Sequence, residues 1–326
     1  MSGEKRADVL LSRTGDEQVA FIKKNRSIPF FLLFFSLACT GPARGGEKNV
    51  GVLLSQEIAP YVAMVEGLES RLTVPIQRFF LDANGRPYSL DGRGATLNSQ
   101  MYDVLVAVGP EALQYLNSRP NVRALVHGMV LNPDKVVSDP KLPLCGVRLN
   151  IPADAQFASI LRYLPSLKRL GVLFDPDNNQ AWFNGAGAVA AARGFQLVPL
   201  QVRRQAGKLE MIGDFSRLDA ILFIPDKSII SKAVIQYVIK QGILSNTPVI
   251  GYNQFFHDSG AALSFLIDYR GVGQQTARQV EQLLAGEKCQ GEIAPMYEAV
   301  VNEEVWRALR KGVESGVRRQ KSGVLE

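Results

Sequence analysis

The sequence is poor in the residues that metal sites and nucleophilic catalysis require. Its 326 residues include only two histidines and three cysteines, and they form no C-x-x-C or H-E-x-x-H spacing, which argues against zinc sites. It also lacks the G-x-S-x-G turn of α/β-hydrolases and the G-x-x-x-x-G-K-[ST] loop that binds phosphate. We therefore expect no catalytic residue, no metal ligand and no cofactor.

One loop keeps an enzymatic alternative open. His257, Asp258 and Ser259 are the residue types of a hydrolytic triad, but neighbours in sequence rarely converge as nucleophile, base and orienting group. His127 stands in the apolar run RALVHGMV and is predicted to be a hydrogen-bonded residue near the core. A hydrolase that uses the His257 loop is accordingly kept only as an alternative.

A glycine-rich segment, GAGAVA at Gly185–Ala190, formally matches a dinucleotide-binding fingerprint. That fingerprint requires a strand immediately before it and an acidic residue after the next strand, and neither is predicted here. We interpret Gly185 and Gly187 as small residues that let a helix pack closely on a sheet.

The central part of the chain has no excess of positive charge. The formal charge of +6 arises from 37 Lys+Arg and 31 Asp+Glu, yet residues 47–306 hold 24 basic and 25 acidic residues. Nucleic-acid binders usually concentrate basic residues on their folded domain. The sequence therefore predicts no nucleic-acid partner.

The N-terminal residues 1–46 resemble an export segment. Basic residues at 23–26 precede the apolar stretch Ile28–Ala38, which is too short to span a bilayer but typical of a secretory signal. Cleavage has two interpretations, a lipoprotein signal at Ser36–Cys39 with Cys39 acylated, or ordinary cleavage after a small residue such as Ala43. Both predict an exported protein, either periplasmic or lipid-anchored to the membrane.

Export bears on the remaining two cysteines, Cys145 and Cys289. An oxidising compartment permits a disulfide, so a bridge between them is one alternative. Free cysteines often behave as small buried apolar side chains, and we favour that interpretation.

Short apolar runs alternate with helical patterns throughout residues 47–310. Such alternation predicts a parallel, doubly wound α/β sheet, and the pattern restarts after about residue 150. The predicted architecture is two such lobes with a hinge and an interlobe cleft. The strands are predicted at KNVGVLLS, PIQRFFLD, YDVLVAVG, RALVHGMV, LCGVRL, RLGVLFDP, FQLVPLQV, DAILFIPD and TPVIGYN.

Ligands of doubly wound sheets bind beyond the carboxyl ends of the strands. The residues at those ends are candidates for a site that holds a small molecule with a charged end. For each residue, turn formation or helix capping is the alternative. The candidates from this pattern are Ser55, Gln56, Gly109, Pro110, Glu111, Met129–Asn132, Phe174, Asp175, Pro225, Asp226, Lys227, Tyr252 and Asn253.

Several stretches in this order resemble the substrate-binding proteins of ABC importers, in the group that includes aromatic-amino-acid binders. The most distinctive is GAALSFLIDYRGVGQQTARQVEQLLAG, and others are YDVLVAVGPEAL, LDAILFIPDKSI and VVNEEVWRAL. The resemblance covers about 47–310 and implies the periplasmic-binding-protein type I fold. It implies a first lobe of 47–148 plus 267–288 and a second lobe of 149–266 plus 289–310. The tail at 311–326 has few apolar residues and is predicted to be disordered.

The resemblance also implies roles for particular residues. Gly109–Glu111 and Phe174–Asn178, including Asn178, match segments that hold a ligand's carboxylate, and Asp226 matches one that meets an amino group. Tyr252–Asn253 and Asp268–Tyr269 would line the hinge side. An amino acid is thus the candidate ligand.

Two departures weaken that choice of ligand. Gly109 stands where the amino-acid binders commonly have a hydroxyl side chain, and Lys227 next to Asp226 would partly neutralise an ammonium site. Four aromatic residues are candidates for stacking on a planar ligand, with core packing as the alternative. They are Phe174, Trp182, Tyr252 and Tyr269.

The resemblance implies partners as well as a fold. A monomer would capture its ligand by closure of the two lobes and deliver it to separate ABC permease and ATPase subunits. Delivery to a sensor kinase is the alternative. Contact with the membrane would occur only through a lipid anchor at Cys39.

Overall fold

The computed structural model describes residues 48–89, 97–205, 208–212, 217–229 and 231–309. The predicted export segment with Cys39 and the predicted tail at 311–326 lie outside these residues. No helix within the described ranges is both long and apolar enough to cross a membrane.

The first sheet has seven strands, and all of its pairings are parallel except that of its edge strand β3. Across the sheet, the strands lie in the order β13-β6-β5-β4-β1-β2-β3. Their bounds are β1 Val50–Leu54, β2 Ile76–Leu81, β3 Pro87–Tyr88, β4 Val104–Val108, β5 Leu125–Val130, β6 Gly146–Arg148 and β13 Glu292–Ile293.

The second sheet also has seven strands, in the order β14-β12-β11-β10-β7-β8-β9. The pairs β8–β9 and β12–β14 are antiparallel, and the other pairs are parallel. The bounds are β7 Arg169–Phe174, β8 Gln196–Gln205, β9 Lys208–Ile212, β10 Ala220–Phe223, β11 Val249–Gly251, β12 Leu263–Ile267 and β14 Tyr297–Val301.

Eight helices have bounds within the described residues, and residues 303–309 are also helical. The first lobe is the first sheet with α1 Ala59–Glu69, α2 Pro110–Ser118, α3 Pro133–Val136 and α8 Tyr269–Leu284. The second lobe is the second sheet with α4 Ala153–Tyr163, α5 Pro176–Ala192, α6 Lys232–Leu244 and α7 Gln254–Asp258.

Apolar runs form the central strands because helices cover both faces of each sheet. Every residue of β1, β4 and β10 is buried, as expected of strands that are covered on both sides. In the first lobe, Leu54 packs in one cluster with Met64 and Val272, whereas Leu53 packs on the other face with Leu113. All nine predicted strands are present, and the predicted two-lobe α/β fold is confirmed with mixed, mostly parallel sheets.

The chain passes between the sheets three times. It leaves the first sheet after β6, returns from β12 to α8, and leaves again between β13 and β14. The sequence assigned 289–310 to the second lobe, whereas Glu292 and Ile293 pair with β6 in the first sheet.

Helices α1 and α8 approach closely through glycine. A Cβ on Gly273 would collide with the backbone carbonyl of Met64, and one on Gly67 would collide with that of Arg270. The prediction that Gly185 and Gly187 serve close packing is wrong, because a Cβ at either position would have nothing within 4 Å. The buried positions of α5 are Asn179, Ala186 and Ala190, whereas Gly185 is exposed and Gly187 is half-buried.

Strand β13 also explains why the favoured interpretation of the cysteines is wrong. Cys145 and Cys289 form a disulfide with Cα atoms 5.9 Å apart, a usual separation for such a bridge. Cys145 precedes β6 and Cys289 precedes β13, so the pairing of these two strands brings the sulfurs together. The two-residue strand β13 carries too little pattern to be predicted from the sequence.

Polar contacts, like the disulfide, hold β13 beside β6 in the first sheet. The Glu292 carboxylate contacts His127 Nε2 at 2.8 Å and pairs with Arg148. The hydrogen bond with His127 is the main cause that lowers the pKa of Glu292. His127 is buried and its Nε2 is hydrogen-bonded, as predicted, whereas its Nδ1 is buried without a partner among the described residues.

We expect the disulfide to stabilise the fold because it restricts the unfolded chain across a sequence separation of 144 residues. Replacing both Cys145 and Cys289 by Ser should lower the free energy of unfolding by about 2–4 kcal/mol. Urea unfolding of the unmodified protein and of the variant, each with and without a reductant, measures this difference in the free energy of unfolding. The reductant should bring the unmodified protein to the stability of the variant and leave the variant unchanged; equal stabilities without reductant would contradict the prediction.

Candidate functional site

A cavity of about 270 Å³ lies between the carboxyl ends of the two sheets. The first lobe contributes the start of α1, together with Met129 at the end of β5 and Leu131 and Asn132 after it. The second lobe contributes parts of α4 and α5 and the chain after β10 and β11. Two of the passages between the lobes, 149–151 and 267–269, complete the wall, so a molecule inside would contact both lobes and their connections.

Four aromatic side chains line the cavity: Tyr61 on α1, Trp182 on α5, Tyr252 after β11 and Tyr269 at the start of α8. Burial, with a smaller contribution from Asp226, raises the pKa of Tyr252 to about 12. Burial is also the main cause that raises the pKa of Tyr61 and Tyr269. All three phenols are therefore protonated and uncharged at neutral pH.

Two asparagines join the end of β5 to the first passage between the lobes. Asn150 Nδ2 donates to Asn132 Oδ1 at 2.9 Å, and the Asn132 backbone N–H donates to Asn150 Oδ1 at 2.8 Å. Asn132 has φ 48°, a left-handed conformation that asparagine tolerates better than most residues. The pair lines the cavity, and both of its side-chain oxygens already accept a hydrogen bond within the pair.

Three other amide side chains line the second lobe. Gln156 on α4 is 5% exposed, and its Oε1 has no hydrogen-bond partner among the described residues. Asn179 on α5 donates through Nδ2 to Asp226 at 2.7 Å, and Asn253 accepts through Oδ1 from Phe256 N as the N-cap of α7. Gln156 is therefore an unsatisfied acceptor in a cavity wall.

The lining contains no ionisable side chain other than the neutral tyrosines. Within the described residues, no Asp, Glu, Lys, Arg or His borders the cavity. Its wall consists of aliphatic, aromatic and amide side chains.

The carboxylate of Asp226 follows the lining residues Ile224 and Pro225 and is buried, with 2% exposure. Its Oδ2 accepts from Asp175 N at 2.8 Å and from Asn179 Nδ2 at 2.7 Å. Its Oδ1 accepts from Asn178 Nδ2 and Ser228 N, each at 3.0 Å. These four donors replace water around a charge whose unpaired burial would be very costly.

Side chains of the protein accept hydrogen bonds from the first turns of α2 and α5, which begin after β4 and β7. Ser55 Oγ accepts from Ala112 N at 2.9 Å in the first turn of α2. Asp175 Oδ1 accepts from Asp177 N at 3.0 Å in the first turn of α5. These side chains take backbone donors that a bound anion would otherwise use.

The family comparison decides what kind of protein has this cleft. Residues 80–309 match the model of the family described as ABC transporter substrate binding protein, which is more than half of the chain. The chain belongs to this family. The resemblance noted in the sequence is thereby confirmed.

Solved structures share the fold. A ligand-free, open substrate-binding protein with adhesive properties from Clostridium difficile has a TM-score of 0.58 and 16% identity, covering 80% of this chain and 94% of that chain. The ABC domain in complex with L-Trp from Streptococcus pneumoniae has a TM-score of 0.52 and 18% identity, covering 81% and 95%. A conserved domain protein from Vibrio cholerae has a TM-score of 0.51 and 21% identity, covering 81% and 95%. A search of curated proteins gave no significant match.

This substrate-binding protein is thus a ligand-binding component that works with ABC transporter subunits. The family is extracytoplasmic, and the family is not a class of enzyme. The triad alternative gains no support from the geometry, because Asp258 accepts from Gln254 Nε2 at 2.7 Å and His257 Nδ1 has no partner in the described structure. No cluster of three or more potential metal ligands occurs among the described residues.

The structure brings only some of the sequence-predicted residues to the cavity of this substrate-binding protein. Pro225, Tyr252, Asn253 and Tyr269 line it, as does Trp182 from the aromatic candidates. Within 129–132, Met129 and Asn132 line it together with Leu131.

The other predicted residues lie outside the lining. Phe174 is fully buried and stacks on Phe183 with ring centroids 4.7 Å apart. Asp268 is the N-cap of α8 and accepts from Gly271 N at 2.9 Å. Gln56 is exposed, and Gly109, Pro110 and Glu111 form the start of α2. Asp175, Asn178 and Asp226 belong to the hydrogen-bonded network behind the wall.

The start of α5 explains why its candidates serve capping. The helix that contains Gly185 and Gly187 begins at Pro176, with Asp175 as its N-cap. Proline at the first helical position after an aspartate cap is a strong helix start. Asp175 and Asn178 therefore act within the helix terminus.

Sequence reasoning missed Tyr61, Asn150, Gln156 and Asn179. Gln156 had a usable signal, since it shares the buried face of α4 with Phe157 and Ile160, and glutamine on an apolar helix face is unusual. Tyr61 and Asn179 lie on helices without a comparable signal, because the lobes must face each other before either borders a cavity.

The raised pKa of Tyr252 gives a direct test of the buried wall. We expect the absorbance titration of Tyr252→Phe, subtracted from that of the unmodified protein, to have a midpoint near pH 12 instead of the ordinary 10.0. The stability that the protonated phenol contributes is fully present below pH 10 and is lost as the pH rises towards 12. A difference titration with its midpoint near 10 would mean that Tyr252 is solvated.

Proposed function

We propose that this protein captures a small molecule in the interlobe cavity and delivers it to an ABC permease and ATPase. The observation that supports this is a single cavity whose wall contains both lobes and two of their connections. Gln156, an unsatisfied acceptor in that wall, supports an occupant that donates a hydrogen bond.

In this proposal the ligand acts by favouring the closed arrangement. The lobes close as units, the first lobe ending near 148 and resuming at α8, and the passages near 149–152 and 268 serve as the hinge. A ligand that contacts Tyr61 in the first lobe and Trp182 in the second would bind the closed form more tightly than the open one. That difference in affinity shifts the population towards closure.

One contact between the lobes already bridges the rim. Lys135 Nζ on α3 donates to the backbone carbonyl of Asn178 on α5 at 3.0 Å. Both residues lie outside the lining, so this contact would form or break with closure without touching the ligand. A permease would distinguish the closed from the open form by this rim.

The location follows from the same proposal. The protein acts as a monomer outside the cytoplasmic membrane, either anchored through an acylated Cys39 or released after signal cleavage. Either form would meet its ligand before the permease does.

A cavity-filling variant tests capture. The full chain is incubated with the small-molecule fraction of a cell extract, freed of unbound molecules and analysed by mass spectrometry after denaturation. Leu131 lines the cavity and is 38% exposed, so Leu131→Trp should fold and should reduce the retained molecule at least about tenfold, equivalent to 1.4 kcal/mol of binding.

The matched control is Leu244→Trp, at a leucine that ends α6, is 69% exposed and lies outside the lining. It should retain the molecule as the unmodified protein does. Equal retention by the Leu131→Trp variant would refute capture in this cavity.

A further inference from the structure

We propose, building on the function proposed above, that the ligand is an uncharged planar ring compound with a hydrogen-bond donor at its edge, and not a free amino acid. An aromatic carboxamide represents this class.

The cavity offers no partner for a charged group. Its described lining lacks acidic and basic side chains, and desolvating an unpaired ammonium or carboxylate is far more costly than desolvating a neutral amide. A zwitterion would bring both charges into this wall.

The groups that would hold a carboxylate are engaged within the protein. Ser55 Oγ accepts from Ala112 N in the first turn of α2, and Asp175 Oδ1 accepts from Asp177 N in the first turn of α5. Tyr61 lies against Gly109, where a Cβ would be only 2.8 Å from its phenolic oxygen. This phenol stands beside the α2 terminus, so a ligand carboxylate would have to displace it.

The group that would hold an ammonium is engaged as well. Both oxygens of Asp226 accept hydrogen bonds, including those from Asn178 and Asn179. Asp226 is buried outside the lining, and Lys227 is exposed beside it. Binding an ammonium there would require breaking a network that supports the start of α5.

The shape of the wall favours a flat molecule. Tyr61 lies on a helix of the first lobe, Trp182 and Tyr252 belong to the second lobe, and Tyr269 begins α8 directly after the second passage. Aromatic faces favour offset or edge-on contact with another ring. A volume of about 270 Å³ is near the lower end of small-molecule sites, about 300–1,000 Å³, and suits a single ring system.

The edge of that ring is recognised by amide groups. Gln156 Oε1 is buried without a partner, and a buried acceptor without a hydrogen bond is unfavourable. Asn179 and Asn253 each use one side of their amide within the protein, and the other side has no partner among the described residues. The wall therefore suits a ligand whose edge is uncharged and both donates and accepts hydrogen bonds.

An isosteric series tests the charge. Calorimetric titration of the full chain compares benzamide with benzoate and benzamidine, which have nearly the same shape but carry no charge, a negative charge and a positive charge. It also compares indole-3-carboxamide with L-tryptophan. Each uncharged compound should bind at least about tenfold more tightly than its charged counterparts, since tenfold corresponds to 1.4 kcal/mol.

Tighter binding of a charged member would overturn the ligand class and leave capture intact. Failure of both uncharged compounds to bind, while the unmodified protein still retains a molecule from the extract, would also overturn the class. Failure of capture itself is recognised separately, by equal retention in the Leu131→Trp variant.

Gln156→Leu tests the edge. It should weaken indole-3-carboxamide binding at least about tenfold without lowering the thermal stability of the ligand-free protein, because it removes an unsatisfied buried group. Gln279→Leu is the control. Gln279 is equally buried but donates to Gly146 O and Gly291 O at 3.3 Å outside the cavity, so that variant should lose stability and keep affinity. Lost stability with unchanged affinity in Gln156→Leu would refute the assignment.

Discussion

The site depends on how the second lobe satisfies one buried carboxylate. Asp226 follows β10 and draws donors from the start of α5 and from the chain after itself. This network fixes where α5 begins, and α5 carries Asn179 and Trp182 into the wall. The charge that could have met a ligand instead holds the wall in place, which leaves the cavity surface neutral.

The first lobe supplies the opposite wall through equally rigid means. Close packing of α1 on α8 through Gly67 and Gly273 fixes the helix that carries Tyr61. The disulfide and the contacts of Glu292 hold β13 in the first sheet just before the third passage. Both lobes therefore present preformed surfaces, and the freedom that remains lies in the three connections between them.

The fold was predictable because burial on both faces imposes continuous apolar strands, and β1, β4 and β10 carry that pattern. The site was less predictable because one local pattern serves two purposes. Asp175 and Tyr252 both follow strands, yet Asp175 caps a helix and Tyr252 borders the cavity. Only the packing of one lobe against the other decides between these roles, and the Cys145–Cys289 pair likewise depends on a strand of two residues.

The most direct measurement of binding between the lobes uses the two tryptophans of the chain. Trp182 lines the cavity, whereas Trp306 lies in the helical residues 303–309 outside it. Addition of the captured molecule should change the tryptophan emission, and Trp182→Phe should abolish that change while calorimetry still detects binding. An unchanged emission response in Trp182→Phe would place the ligand elsewhere and contradict the account.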